Sequence, residues 1–423
     1  MKWPFVKIGN VCVKTTTRDP RRTPDDSFRY VDISSVDREQ KLIVTAPEII
    51  GSEAPSRARK EIKYGDVLVS TVRPNLNTVA MVPPELENQI ASTGFCILRP
   101  KVQIDKNYLF YFTLSNLFVE VLTSKVRGAH YPAVSDSDVK NVKIPLPAPK
   151  EQRRIVEILD QADRLRKLRV ETDKKAERIL PALFTKMFGD PIQNISGERW
   201  PLKQFDSFSK VSYGLADRID SSLTAKGGLR IITISNVKID GSIDPLVEKY
   251  SPAGKKQIAK ASVQEHDLLF NWRNGSKEHV GKTAIWENNW AGETLHVSFL
   301  LRIRPDIKQA SPYYLWSLIN LLRSTGFFVG QSRIQVNSKF NASELSALKV
   351  PLPPRENQGK YDLLVKQIRG ISNTFNSREK EIEKIFSSLL HRAFSGDLTA
   401  SWRQAHMKEL LQEMELQAKA LNN

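Results

Sequence analysis

Apolar side chains are distributed along this chain in two alternating regimes. Through residues 1–148 they fall in short β-rich runs, at 30–33, 66–71, 78–82 and 95–98, separated by Pro, Gly and Asn. That pattern predicts strands and turns, closed by a helix over 108–122, where large apolar residues recur at steps of three and four. Beyond Pro145 and Pro147, which bias their neighbours to extended backbone, the chain becomes free to turn helical near Lys150. There the spacing narrows to a single stripe: Ile155, Ile158, Ala162, Leu165, Ala176, Ile179 and Leu183, interrupted by Arg169 and Thr172. Short strand-like runs return from 200 to 349. A second stripe then follows through Tyr361, Leu364, Ile368, Ile371, Phe375, Ile382, Ile385 and Leu389. A narrow stripe suits a coiled-coil seam better than the broad face of a globular helix. Two unrelated amphipathic helices, each packed on its own domain, are the alternative. Pro181 should kink the first helix.

The two stripes belong to a repeat. Ile144-Pro145-Leu146-Pro147 returns as Val350-Pro351-Leu352-Pro353, Gln152 as Gln358, Glu177-Arg178-Ile179 as Glu383-Lys384-Ile385, and Phe188 as Phe394. The offset is 206 in every case (358 minus 152, 394 minus 188), and it holds back to Tyr108 and Tyr314. A gapless register of that length marks two copies of one unit. Between the globular segments the echo is fainter: Trp3-Pro4 with Trp200-Pro201, Asp66-Val67-Leu68-Val69 with Asp267-Leu268-Leu269-Phe270, Arg99-Pro100 with Arg304-Pro305. If the long helices pair antiparallel, the second runs back toward the first globe. The expected result is a pseudo-twofold rod with a globe at each end. A helix of nearly forty residues spans roughly 55 Å.

The run over 145–190, with its Pro-Leu-Pro, Glu-Gln-Arg, long helix and Phe-Gly-Asp, resembles the conserved regions of Type I restriction–modification specificity subunits. Its second copy does so too, as does Phe394-Ser395-Gly396-Asp397-Leu398-Thr399 followed by Trp402-Arg403. The resemblance covers essentially the whole chain. It departs at Arg355-Glu356-Asn357-Gln358, where the second junction is worded differently from the first. It implies an α+β fold: two mixed α/β target recognition domains, separated by two long helices forming an antiparallel coiled coil, in a pseudo-twofold circular arrangement. The expected segments are a first recognition domain over 1–148, a spacer helix over 149–190, a second recognition domain over 191–354, a second spacer helix over 355–395, and a C-terminal segment over 396–423 that packs toward the N-terminal domain. Two methyltransferase subunits using S-adenosylmethionine, and a restriction (translocase) subunit using Mg2+ and ATP, are the implied partners. The chain itself is expected to need no cofactor.

Composition changes the picture in one respect. Sixty-four Lys and Arg against forty-seven Asp and Glu leave +17, with a pI near 9.7. Such a surplus fits a polyanionic partner, double-stranded DNA first. Cys12 and Cys96 are too few for a disulfide framework. The N-terminal residues lack an apolar signal core and no stretch reaches eighteen apolar residues, so a soluble cytoplasmic location without membrane contact is expected.

Each globe carries two loops rich in side chains that hydrogen-bond base edges or phosphates. The first follows the Asp-led strand: Arg73, Asn75 and Asn77 in one globe, Arg273, Asn274 and Lys277 in the other. The second precedes the Pro-Leu-Pro junction: Lys125, Arg127, His130 and Tyr131, then Arg333, Gln335, Asn337 and Lys339. Merely solvated polar loops are the plainer reading of any one of these residues. Catalytic constellations are weaker. Five residues separate Gly275 from Gly281, before Lys282-Thr283, where a phosphate loop needs four, and a strand follows instead of a helix. Asp25 with Glu61-Ile62-Lys63 only loosely mimics a nuclease triad, and the His and Cys residues never reach metal-ligand spacing. The reading is therefore a non-catalytic DNA-recognition subunit with no metal site. A stand-alone DNA-binding regulator and a self-contained DNA-modifying enzyme are the alternatives.

The seam residues define a ruler. Inserting four residues near Arg169 should lengthen it by about 6 Å. On DNA rising roughly 3.4 Å per base pair, the preferred gap between half-sites should grow by one or two pairs. Gap preference measured on a library of spacers checks this; an unchanged gap contradicts it.

Overall fold

The computed structural model describes residues 3–128, 132–193, 199–216, 228–330 and 338–422, without the side chains of 338, 372–380 and 422. The chain forms two compact units. One comprises Met1–Val170 with Ser377–Asn423, the other Glu171–Asn376.

In the first unit, one four-stranded sheet runs in the order Glu48–Ile50, Ser27–Val31, Gln89–Ser92, Ala58–Ile62. A second runs Cys12–Val13, Phe95–Pro100, Val67–Ser70, Val79–Met81. The second unit repeats the plan, with Ser209–Tyr213, Leu300–Pro305, Leu268–Asn271 and Thr283–Ile285 in one sheet and Tyr250–Ser251, Leu229–Ile232 and Thr294–His296 in the other. A parallel pairing recurs as well, Tyr30 beside Ile90 and Ile231 beside Leu295. The helix expected over 108–122 is two helices, Lys106–Leu114 and Asn116–Thr123. Ser115 divides them because its hydroxyl accepts the Phe118 N–H and caps the second.

Two of the faint echoes between the globes, the aspartate and the arginine, bond each other in both units. Asp66 and Asp267 are almost fully enclosed, and each takes a forked pair of bonds from an arginine, Arg99 at 2.8 and 2.7 Å and Arg304 at 2.7 and 2.6 Å. A buried carboxylate must be paired, and the guanidinium fork satisfies both oxygens at once. Gln152 accepts from the Asp105 N–H and donates to the carbonyls of Gln103 and Pro147. Gln358 does the same with Ser311, Gln309 and Pro353. Tyr108 donates to Pro145 and Tyr314 to Pro351. These clamps fix where each long helix leaves its globe.

The second long helix is continuous over Arg355–Ser395. The first is Pro149–Ala176 followed by Ile179–Phe188. The break falls at Glu177, four residues before Pro181. A proline has no N–H to give that carbonyl, and its ring collides with it. The corresponding position of the second helix is Ser387, which imposes no such break.

Each unit holds the start of one long helix and the end of the other. In the first, Glu151 lies by Thr399 and Arg403 while Arg166 lies by Glu383 and Phe386, so the two segments run antiparallel. Phe394, from the second helix, packs on Tyr108 and Phe112 of the first globe at 5.3 and 5.2 Å between ring centres. In the second unit Phe188, from the first helix, packs on Tyr314 at 4.9 Å and Tyr361 at 5.3 Å.

The apolar stripe is turned from where its spacing placed it. Ile155 and Tyr361 are buried, and Ile158, Ala162, Leu183, Ile368, Ile382 and Leu389 are half-buried. Leu165, Ile179, Leu364, Ile371 and Ile385 are exposed instead, and Phe375 lies outside the described side chains. Positions off the stripe, Val156, Leu159, Val365, Phe386 and Leu390 among them, are enclosed. They belong to the same clusters as the globe cores. These turns face a globe as well as another helix, and burial follows that broader face.

Phe394→Ala should loosen the first unit and Phe188→Ala the second, each by about 3–5 kcal/mol. Hydrogen exchange at the amides of 108–113 and of 314–319 reads the two separately. Each substitution should affect the globe that does not precede its helix in sequence.

Candidate nucleic-acid interface

The two loops singled out in each globe are joined by backbone hydrogen bonds. In the first unit Arg73 donates its N–H to Pro132 at 2.8 Å and Val134 donates to Thr71 at 2.9 Å. Ala133 bridges both Val72 and Arg127. Arg73, Asn75 and Arg127 point into solvent, while Asn77 and Lys125 are half-buried. Arg127 has Asp138 at 3.8 Å and stays largely exposed. In the second unit Arg273–Asn274 pairs antiparallel with Ser338–Lys339, placing Arg273 opposite Lys339. Phe340 donates to Trp272 at 2.8 Å. Arg273, Lys277 and Lys339 are exposed, and Arg273 lies 5.9 Å from the ring of Phe299. Asn274 is half-buried and its side-chain Oδ1 accepts the Ser276 N–H, so that oxygen is used within the loop. His130, Tyr131, Arg333, Gln335 and Asn337 lie outside the described residues.

The first loop is held in an unusual backbone. Arg73 and Asn77 both adopt left-handed conformations, φ 48° and 44°, around a one-turn 3-10 helix at Pro74–Leu76. Such conformations cost free energy in a residue with a Cβ and persist only where surroundings fix them. Lys41, itself left-handed at φ 57°, supplies part of that fixing by donating from Nζ to the Asn77 carbonyl. Nothing in the sequence marks it out. It reaches into a cavity of about 360 Å³ that it shares with Asn77, Arg166, Glu383 and Phe386. Burial first, then Arg166 and Arg38, push the Lys41 ammonium down to about 8.

Side chains that could imply other chemistry are placed elsewhere. Lys282 is buried and donates to the Val237 carbonyl at 2.7 Å, so it faces no phosphate. Glu61 accepts from Thr16 at the surface. Cys12 and Cys96 are enclosed, and burial pushes both thiols up to about 12. Among the described residues no three His, Cys, Asp or Glu side chains are grouped as a metal site, and no helix is long and apolar enough to cross a membrane.

A frame built twice, whose two copies present unlike pairs of basic and amide-bearing loops, defines an α+β recognition scaffold. Its sequence matches the Type I restriction modification DNA specificity domain over residues 1–178 and again over 198–384, and the chain belongs to that family. It is a specificity subunit of the Type I restriction–modification class. It is 26% identical over 337 residues to the EcoKI specificity subunit of Escherichia coli K12, covering 73% of this chain and 69% of that one. To the StySPI specificity subunit of Salmonella potsdam it is 25% identical, with the same coverage. A solved chain from a study of complex assembly and conformational transition in a type I restriction–modification system superposes with a TM-score of 0.58 at 28% identity, covering 94% of this chain and 98% of that one. The Type I S subunit of M. genitalium shares the fold at a TM-score of 0.54 and 12% identity, covering 93% and 96%.

Lys41→Met should release the Asn77 carbonyl. Amide exchange across 73–78 should quicken severalfold while the Val67–Ser70 strand stays protected. Equal exchange in both proteins would show that the loop holds its shape without this contact.

Proposed function

We propose that this chain is the non-catalytic DNA-reading subunit of a Type I restriction–modification complex. Each unit contributes its paired loops to one half of a bipartite, asymmetric target in double-stranded DNA. The reading rests on one observation above all: two loops about sixty residues apart in sequence are joined in the same way in both units, yet carry different side chains. In the first unit Arg73, Asn75 and Arg127 face solvent; in the second Arg273, Lys277 and Lys339 do. A common frame with unlike readers supports recognition of two different half-sites, arginine suiting guanine and asparagine suiting adenine. The surplus of +17 supplies the attraction to phosphate that such binding needs.

The chemistry is assigned to partners. Two methyltransferase subunits bring S-adenosylmethionine and methylate adenine, and a restriction subunit brings ATP-driven translocation and Mg2+-dependent cleavage. The chain's own part is to hold the loops and the long helices, which set the distance between half-sites. The buried, shape-fixing bonds at Asp66 and Asp267 keep each loop on a rigid strand, as a reader that must discriminate single bases requires.

Arg73→Ala with Asn75→Ala should relax sequence preference in one half of the target, and Arg273→Ala with Lys339→Ala in the other. Each arginine that contacts a base should cost about 1–3 kcal/mol of discrimination at its own position. Methylation patterns of the reconstituted complexes on a randomised DNA library read this. Loss spread evenly over both halves in either variant would contradict separate reading.

A further inference from the structure

The junction that departs from the repeat has a structural counterpart. At the start of the first long helix the pair is Lys150-Glu151, and 206 positions on it is Glu356-Asn357. In the first unit this pair receives the C-terminal segment. Glu151 is fully buried and accepts from Arg403 at 2.6 Å, Thr399 at 2.7 Å and Trp3 at 2.9 Å. The backbone N–H of Lys150, one of the unpaired donors of the helix's first turn, is capped by Glu413 at 2.9 Å, and the Lys150 side chain pairs with Glu409. Farther along the tail helix (Met407–Asn422), Gln417 donates to the carbonyls of Gln103 at 2.8 Å and Pro147 at 3.4 Å.

The second unit offers the same carbonyls, those of Gln309 and Pro353, on the same glutamine clamp. Its charges are different. Glu356 stands where the Lys150 side chain meets Glu409, highly exposed and paired with Lys360 of its own helix. Asn357 stands where Glu151 would take the arginine.

We infer that this dipeptide selects which of two faces, alike in their glutamine clamp, receives the C-terminal segment. Lys150-Glu151 accepts a segment of two helices, Ala400–Ala405 and Met407–Asn422, bearing one arginine and an i, i+4 pair of glutamates. Glu356-Asn357 rejects it, by repelling Glu409 and by leaving Arg403 without its carboxylate. The tail of a second copy is therefore refused by the second face. Were it accepted, the contact would be heterologous and unclosed, the geometry that strings copies into chains. The inference concerns closure of the polypeptide and stands whether or not the loops read DNA as proposed.

Two experiments on the full chain test it. In the first, a fluorescent peptide spanning residues 397–422 is titrated into the wild type and into E356K/N357E. The variant should bind at least about tenfold tighter, since the repulsion of Glu409 becomes an attraction and the arginine gains a buried carboxylate. The bound peptide should protect the amides of 309–311 and 353–357. Equal affinity for both chains, or binding of the peptide to this face of the wild type, overturns the inference. In the second, K150E should raise amide exchange through 407–422 about tenfold, and adding E409K, which restores the side-chain pair and keeps the Glu413 cap, should restore protection. An acid at that position favours the first turn of the long helix, so the loss cannot come from helix fraying. Unchanged exchange in K150E, or no rescue by E409K, equally overturns it.

Discussion

Everything in this structure depends on an exchange of helix ends. Phe394 closes the core around Tyr108, and Phe188 closes the core around Tyr314, although each phenylalanine lies at the far end of a helix that began on the other globe. Neither globe has a complete core without residues delivered by the helix of its counterpart. The first unit's cluster includes Phe386, Leu390, Ala393 and Phe394, and the second's includes Phe184 and Phe188. Aromatic rings of this size, fully enclosed, carry a large share of a small core's stability. The fold of each globe and the course of both helices are thus one problem, solved once and used twice.

Fixing the ends of a helix is only useful if its departure is fixed as well. The glutamine clamps at 152 and 358, each making three bonds to backbone groups around a Pro-Leu-Pro junction, do that. A buried amide with its donors and acceptor all used admits one geometry, and leaving any of them unmet is costly. From the same junctions run the strands paired with the chain's first residues, Phe5 opposite Pro145, and with the segment after residue 199, Leu202 opposite Pro351. A rigid base of this kind lets two-residue strand pairings such as Arg273–Asn274 with Ser338–Lys339 define where exposed side chains point.

Much of this was legible in the residues. The offset of 206 named Gln152 with Gln358 and Tyr108 with Tyr314 before their bonds were known, because a position that must satisfy three backbone groups tolerates one side chain. The fainter echoes, Asp66 with Arg99 and Asp267 with Arg304, were the buried ion pairs. Periodicity did less well on the long helices. It gives the angular width of an apolar stripe but not its bearing, so Leu165, Ile179, Leu364, Ile371 and Ile385 emerged exposed while Val156, Leu159, Val365 and Phe386 turned inward. The basic, amide-bearing loops stand out by composition, yet their pairing does not, since strands of two residues have no period to detect. Lys41 and the Glu151–Arg403 pair were invisible for a related reason: each joins segments far apart in sequence through a single side chain.

The claim that two unlike loop pairs on a duplicated frame read two halves of one target is tested most directly by mapping methylated bases. Single-molecule methylation sequencing of DNA modified by the complex containing this chain should return one motif: two different short sequences separated by a gap of fixed length and free composition, with one methyl group in each half. A single uninterrupted motif, or two identical half-sites, would contradict the account.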